Sequence, residues 1–343
     1  MKKIILTIFA AVSLLGCNQE TITEVPDSPG AISFSNVSTR AGLSDLQANG
    51  FGVWATVSSI DSTDVSYQPI LEKEHVYIPD GGTEWTYDNT QMWIPNSMFY
   101  FFAAYPYDLA IEQHSTTQNG VNYTLYGLNI TADGSADTED ILVATHVTDT
   151  TADTFDPDDI VPLSFSHLLS KVNINIRQNT DIDSEFDYYV TKVTLTGIFS
   201  KATYGVLPYN DSFYQNFEPN DASAISIVKS FEDSPVQLRA KQGDAMTPIT
   251  LSVWGANGLM LIPQQIVANG VQVRVDYKYD VNPEDSSLGE DKFVEGYIPP
   301  ITWEPSKSYS YNLAIANSSF ISFSQPSIVP WGSPQTGGTI IIK

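Results

Sequence analysis

Cysteine is all but missing from this chain of 343 residues: there is one, Cys17. No disulfide can form within a chain, so stability must come from burial and backbone pairing. Basic residues are scarce as well. Sixteen Lys and Arg stand against 40 Asp and Glu, for a formal net charge of −24. So acidic a surface repels phosphate backbones and anionic headgroups, which excludes nucleic acid as a partner. The four histidines, His75, His114, His146 and His167, include no pair at metal-ligand spacing. There is no Gly-rich phosphate loop, no Gly-x-Ser-x-Gly and no zinc-protease helix motif. The acids of Asp133–Asp140 and Asp153–Asp159 do not fit a calcium loop and read as solvated loops. No cofactor, metal or catalytic group is expected. No apolar run reaches the roughly 20 residues that a membrane-spanning helix needs.

What the chain does have begins at its start. Lys2 and Lys3 precede a short apolar stretch, and Leu14-Leu15-Gly16-Cys17 closes it. This reads as a secretory signal over 1–16 whose removal leaves Cys17 as the new amino terminus. The ending resembles a bacterial lipobox, in which the cysteine thiol is acylated. Residues 18–30 are polar, contain Pro26 and Pro29, and look like a flexible spacer.

From there the dominant period is two. Ile32-Ser33-Phe34-Ser35 alternates, as do Phe51–Val57, Gly120–Tyr126, Lys171–Ile176, Val193–Thr196, Val271–Val275 and Tyr309–Leu313. Alternation rich in β-branched and aromatic residues predicts half-buried strands, and Gly, Pro, Asn and Asp punctuate them. Helical spacing is hard to find, so the class is all-β, a β-sandwich rather than α/β. The segment Ile32–Ser38 followed by Phe51–Val57 is echoed by Leu163–Lys171 followed by Tyr189–Val193, which suggests two similar domains. The acidic stretch Asp149–Asp159 precedes the expected boundary near residue 162. The organisation is thus a signal over 1–16, a lipidated pro-segment with the first strand over 17–40, and domains over 41–162 and 163–343. The dense aromatics from Trp85 to Tyr107 read mainly as core, with Phe99–Tyr105 as one buried strand.

Several segments, in order, resemble the Bacteroidales fimbrillin family, the FimA- and Mfa-like lipoprotein pilins of type V pili. They are Thr39-Arg40-Ala41, Ile141–Ala144, Val161–Val172, Leu261–Gln264 and Trp303–Tyr311. The resemblance implies two tandem transthyretin-like Greek-key β-sandwich domains and export as a lipoprotein to the outer membrane and cell surface, held by lipid on Cys17 before processing. It further implies trimming by an arginine-specific protease, here between Arg40 and Ala41, and polymerisation with other pilin subunits. A host or bacterial surface ligand would suit a tip adhesin or a lipid-anchored glycan- or protein-binding lipoprotein of the same fold.

The residues suit that mechanism. A strand carrying Ile32 and Phe34 and ending at Arg40 would act as a plug. Its removal would leave unpaired backbone beside an apolar groove, a template for a strand from another chain. Donor candidates lie at the C-terminus in three strand-like runs, Phe320–Ser324, Ser327–Trp331 and Thr339–Lys343, with Ile328, Val329 and Trp331, and Ile340, Ile341 and Ile342, as the foremost residues. The alternative is that these last strands fold onto the second domain, as expected of a tip subunit that accepts a strand and offers none.

Overall fold

The structure is a computed structural model that describes residues 30–39, 43–59, 67–116, 120–129, 140–178, 187–209, 212–219, 224–242, 245–282, 287–315 and 325–331. Cys17, Arg40, Ala41, Ile340, Ile341 and Ile342 lie outside them.

Alternation in sequence becomes alternation in burial. The chain opens with β1 (Ser33–Thr39) and the single described helix, α1 (Leu43–Asn49), which ends at Gly50 in the left-handed region at φ 72°. Then come β2 (Phe51–Ser59), β3 (Tyr67–Val76) and β4 (Ser97–Tyr105). The hairpin β5 (Ile111–Thr116) and β6 (Gly120–Asn129) follows, then β7 (Leu142–Asp149) and β8 (Ile160–His167). In β8 the residues Val161, Leu163, Phe165 and His167 face inward, and those between them face out. Strands β1, β2, β3, β4, β7 and β8 form one sheet in the order β1-β8-β7-β4-β2-β3. Every pairing in it is antiparallel except β1 on β8, which is parallel.

The second half starts with β9 (Ser170–Gln178), β10 (Tyr188–Phe199), β11 (Lys201–Tyr209) and β12 (Ser212–Pro219). Short pieces follow: β13 (Ala224–Ser230), β14 (Val236–Gln237), β15 (Arg239–Gln242), β16 (Ala245–Pro248), β17 (Leu251–Ser252), β18 (Leu259–Leu261) and β19 (Gln264–Ile266). The chain continues through β20 (Gln272–Asn282), β21 (Ser287–Leu288), β22 (Lys292–Tyr297), β23 (Ile301–Trp303), β24 (Lys307–Ile315) and β25 (Ser327–Pro330). One sheet is built on the antiparallel β10–β20 pair. Another is built on β9 and β24, which run parallel, with β25 antiparallel at the outer side of β24. Sheet membership therefore changes between β8 and β9, at Leu168 and Leu169. A further sheet, β12-β11-β6-β5, joins strands from both halves through the β6–β11 pair.

Apolar side chains collect in two cores. One holds Ile32, just ahead of β1, with Phe34, Phe51, Phe99, Phe101, Leu163 and Phe165 from the first sheet. The larger one holds Val172, Ile174, Val193, Leu195, Val273, Trp303 and Tyr311, and reaches across to Trp54 and Phe102. The aromatic run from Trp85 to Tyr107 does serve as core, since Tyr87, Trp93, Phe99, Phe101, Phe102 and Tyr105 are buried, while Tyr107 is exposed.

One buried polar pair sits inside the larger core. Trp303 Nε1 donates to the Tyr311 hydroxyl at 2.9 Å, and burial pushes that phenol well above the usual tyrosine range. Tyr311→Phe would leave the indole N–H without this acceptor in a dry site. The expected cost is about 1–3 kcal/mol, read as a lower urea midpoint with an unchanged slope.

Candidate functional site

The residues singled out from the sequence fall at two places, the first strand and the last described strand. Ile32 and Phe34 point into the first core with 1% and 3% exposure. Phe34 meets Tyr87 and Phe101 edge-on, with ring centroids 5.4 and 6.1 Å away. Burying two such side chains is worth roughly 3–6 kcal/mol together, and edge-on aromatic pairs add about 0.5–1.5 kcal/mol each.

The backbone around them is held on both flanks. Ile32 N–H donates to Gln91 O at 2.9 Å, and Trp93 N–H to Gly30 O at 3.1 Å. The Tyr87 hydroxyl donates to Ile32 O at 2.8 Å and accepts from Gln91 N–H at 3.1 Å. Burial raises the pKa of that phenol, with the Gln91 contact acting the other way. Gly30 runs so close to the 149–159 loop that a Cβ there would sit 2.2 Å from Pro157 O. Downstream the partner changes: Ser33, Phe34 and Ser35 pair with Ile160, Val161 and Pro162, and Ser38 and Thr39 pair with Ser164 and Phe165. Between Ser35 and Ser38 the register shifts, so two residues of β1 oppose the single Leu163.

At the other place, β25 lies along β24, with Ser327 opposite Ser310 and Pro330 opposite Lys307. Only its end is well covered. Ile328 is 49% exposed, whereas Trp331 is 7% exposed. Trp331 stacks on His167, with centroids 3.9 Å apart and planes 6° from parallel. Asp140 Oδ2 is 2.6 Å from His167 Nδ1, and Lys171 Nζ stands 5.8 Å from the indole centroid. Burial lowers the Lys171 pKa, and Asp140 acts against that. Ser306, at φ 58°, ties the cluster together: its Oγ donates to His167 O, its N–H to Leu169 O, and its C=O accepts from Trp331 N–H.

The structure thus brings Ile32 and Phe34 together in one groove, and gives Ile328, Val329 and Trp331 a place on the chain's own β24. Sequence reasoning missed the Tyr87 bridge and the Trp331–His167 stack. Neither leaves a local signal, since 55 and 164 residues separate the partners.

A family model described as fimbrillin-like matches residues 39–331. The chain belongs to the fimbrillin-like family. A fimbrial protein from Bacteroides vulgatus shares the fold, with a TM-score of 0.64 at 18% identity over 88% of this chain and 99% of that one. The tip fimbrial protein Mfa3 from Porphyromonas gingivalis, truncated at its C-terminus, is more distant, with a TM-score of 0.31 at 12% identity over 82% and 94%. No curated relative matches the chain. No helix among the described residues of this fimbrillin-like chain is long and apolar enough to cross a membrane.

Two outcomes follow from this geometry. Phe34→Ala should cost about 3–5 kcal/mol, with hydrogen exchange rising first at the β8 amides that face β1. Trp331→Ala should make the β25 amides exchange rapidly while the first sheet keeps its protection.

Proposed function

We propose that this chain is a structural subunit of a type V fimbria, built as two tandem transthyretin-like sandwiches and assembled by strand donation. It is exported as a lipoprotein on Cys17, displayed at the outer membrane, and trimmed between Arg40 and Ala41. Trimming frees β1, and a strand from a neighbouring subunit takes its place. The family supports the fimbrial part of this reading. The observation that carries the rest is the position of β1: an edge strand on β8 just upstream of Arg40, with Phe34 and the preceding Ile32 buried in the first core.

An edge strand can leave without breaking pairings elsewhere in its sheet. What it leaves is a row of β8 backbone groups beside two vacated apolar pockets. Main-chain pairing then supplies affinity, and the pockets supply register. While β1 is present the same groups are occupied, so the uncut chain is held as a monomer. The two cores, with the change of sheet at Leu168–Leu169, support the division into a domain up to about 162 and one from about 163.

A second reading, a tip adhesin or lipid-anchored binding lipoprotein, has one observation in its favour: Ser327–Trp331 rests on its own chain. A tip subunit would accept a strand and keep its C-terminus.

Treatment with an arginine-specific protease should yield a chain beginning at Ala41 that forms SDS-resistant ladders, while Arg40→Ala stays uncut and monomeric. A chain that resists cleavage, or is cut and remains monomeric, sinks the stalk-subunit proposal.

A further inference from the structure

Strands β7 and β8 share only two rungs, Leu142–His167 and Val143–Ser166. Beyond these they are not paired, and the 150–159 loop crosses between their open ends. A cavity of about 320 Å3 lies in that opening. His146, Thr148 and Asp149 of β7 line it, with Phe155 and Asp159 of the loop and Trp93 from ahead of β4.

Trp93 sets this cavity apart from a mere gap between strands. It is 3% exposed, and its indole N–H has no acceptor among the described residues. Buried donors are nearly always paired, so an orphan calls for a partner that the chain itself does not supply. A water takes about 30 Å3 of liquid volume, so one water would satisfy the indole without filling the space. Small-molecule sites run from about 300 to 1,000 Å3, and this cavity falls at the lower end.

The walls are set in advance. The Thr150 hydroxyl accepts from Ser97 N–H at 2.9 Å, and Thr150 N–H donates to Ser97 O at 3.0 Å. Phe155 N–H donates to Ala152 O and Asp159 N–H to Asp156 O, both at 2.9 Å. The Phe155 ring meets Trp93 edge-on, with centroids 5.3 Å apart. Asp149 Oδ1 accepts from the Thr151 N–H at 2.8 Å and from its hydroxyl at 2.7 Å. These bonds hold the carboxylate and use one of its two oxygens. A site ordered before binding loses little freedom when it is filled.

Chemistry narrows the occupant. Asp149 and Asp159, in a chain of net charge −24, repel carboxylate, phosphate and sulfate. An ammonium suits the acids but has nothing to accept from the indole N–H. No group of His, Cys, Asp or Glu among the described residues could hold a metal ion. A hydroxyl both donates and accepts, so neighbouring hydroxyls satisfy the indole and the carboxylates together. A pyranose ring adds an apolar C–H face for Phe155.

We infer that this cavity binds one neutral hexose unit, with the Trp93 N–H and the Asp149 and Asp159 carboxylates on its hydroxyls and Phe155 against its ring. Two lining residues, Asp159 and Ile160, are exposed, so the cavity opens to solvent. It therefore takes the terminal residue of a longer glycan as well as a free sugar. The site does not depend on strand donation, nor on whether the chain is a stalk or a tip subunit.

Saturation-transfer NMR on the full chain reads this directly, with the methyl glycosides of glucose, galactose, mannose and N-acetylglucosamine as separate probes. At least one should bind in the millimolar range. Asp159→Asn should weaken that binding about tenfold, as loss of a charge-assisted hydrogen bond does, and leave the urea midpoint unchanged. Trp93→Phe, which keeps a ring and removes the N–H, should weaken it severalfold; if that variant does not fold, Asp159→Asn decides alone. Transfer to the terminal ring of a trisaccharide ending in the same sugar identifies a glycan as the source. Binding of the monosaccharide alone identifies a free sugar, and either supports the site. Absence of transfer to all four glycosides, transfer undiminished in Asp159→Asn, or binding of tetramethylammonium in their place overturns the inference. SDS-resistant ladders after protease treatment should be the same in the parent and in Asp159→Asn, which separates a failure of this site from a failure of strand donation.

Discussion

The parallel pairing of β1 on β8 is the constraint from which the rest of the proposed behaviour follows. An antiparallel edge strand is usually tied to its neighbour by a short turn, and its fate is that of a hairpin. Here β1 is separated from β8 by more than a hundred residues and joined to its sheet only at the edge. Among the described residues, it is held by side-chain burial, the ladder and a few bonds between the 87–93 segment and the residues just ahead of it. Its departure therefore disturbs one side of β8 and the bonds between the 87–93 segment and Gly30 and Ile32. Because β8 receives its other neighbour, β7, only at Leu142–His167 and Val143–Ser166, it depends on β1 along most of its length. That makes β8 the element whose partner matters most, and the natural reader of whatever strand lies beside it.

The same strand also connects the two places where the chain is held closed. Its first six residues face β1, and its last, His167, carries Trp331. The 303–306 turn links them to the second half, since Ser306 bonds both His167 and Leu169, while Ser170 Oγ donates to Glu304 O. The first and last described strands, β1 and β25 with the Trp331 that follows it, both meet β8 or its last residue, His167. The balance of burial differs between them. The N-terminal contact is deep and apolar. The C-terminal contact rests on one indole and a short ladder, so it opens on the scale of local fluctuations. A subunit stable before processing and ready to donate after it needs this asymmetry.

How much of this could be read from residues alone depends on the range of the interaction. The strands Phe99–Tyr105, Lys171–Ile176 and Tyr309–Leu313 were legible because a period of two with β-branched and aromatic residues is a local property. The inward direction of Ile32 and Phe34 was legible for the same reason. The pairing of β6 with β11, which ties the halves together, was not: both alternate, and alternation does not name a partner. Nor was the place of β25, whose Pro330 and exposed Ile328 make a weak strand. The burial of His167 follows from the alternation of β8; the indole that covers it, Trp331, lies 164 residues away and could only be seen in three dimensions.

The charge of −24 opposes any assembly of like subunits, yet repulsion and burial act over different distances. Repulsion between acidic surfaces is screened beyond about 8 Å at physiological ionic strength. Burial and ladder bonds act only at contact, and one inserted strand gathers several kcal/mol there. A chain offering the wrong strand gains no burial and meets only repulsion. A chain offering residues shaped like Ile32 and Phe34 at a spacing of two gains enough to override it. The acidity then works as a filter: it raises the threshold for any association that lacks the matching side chains, and leaves the specific one standing.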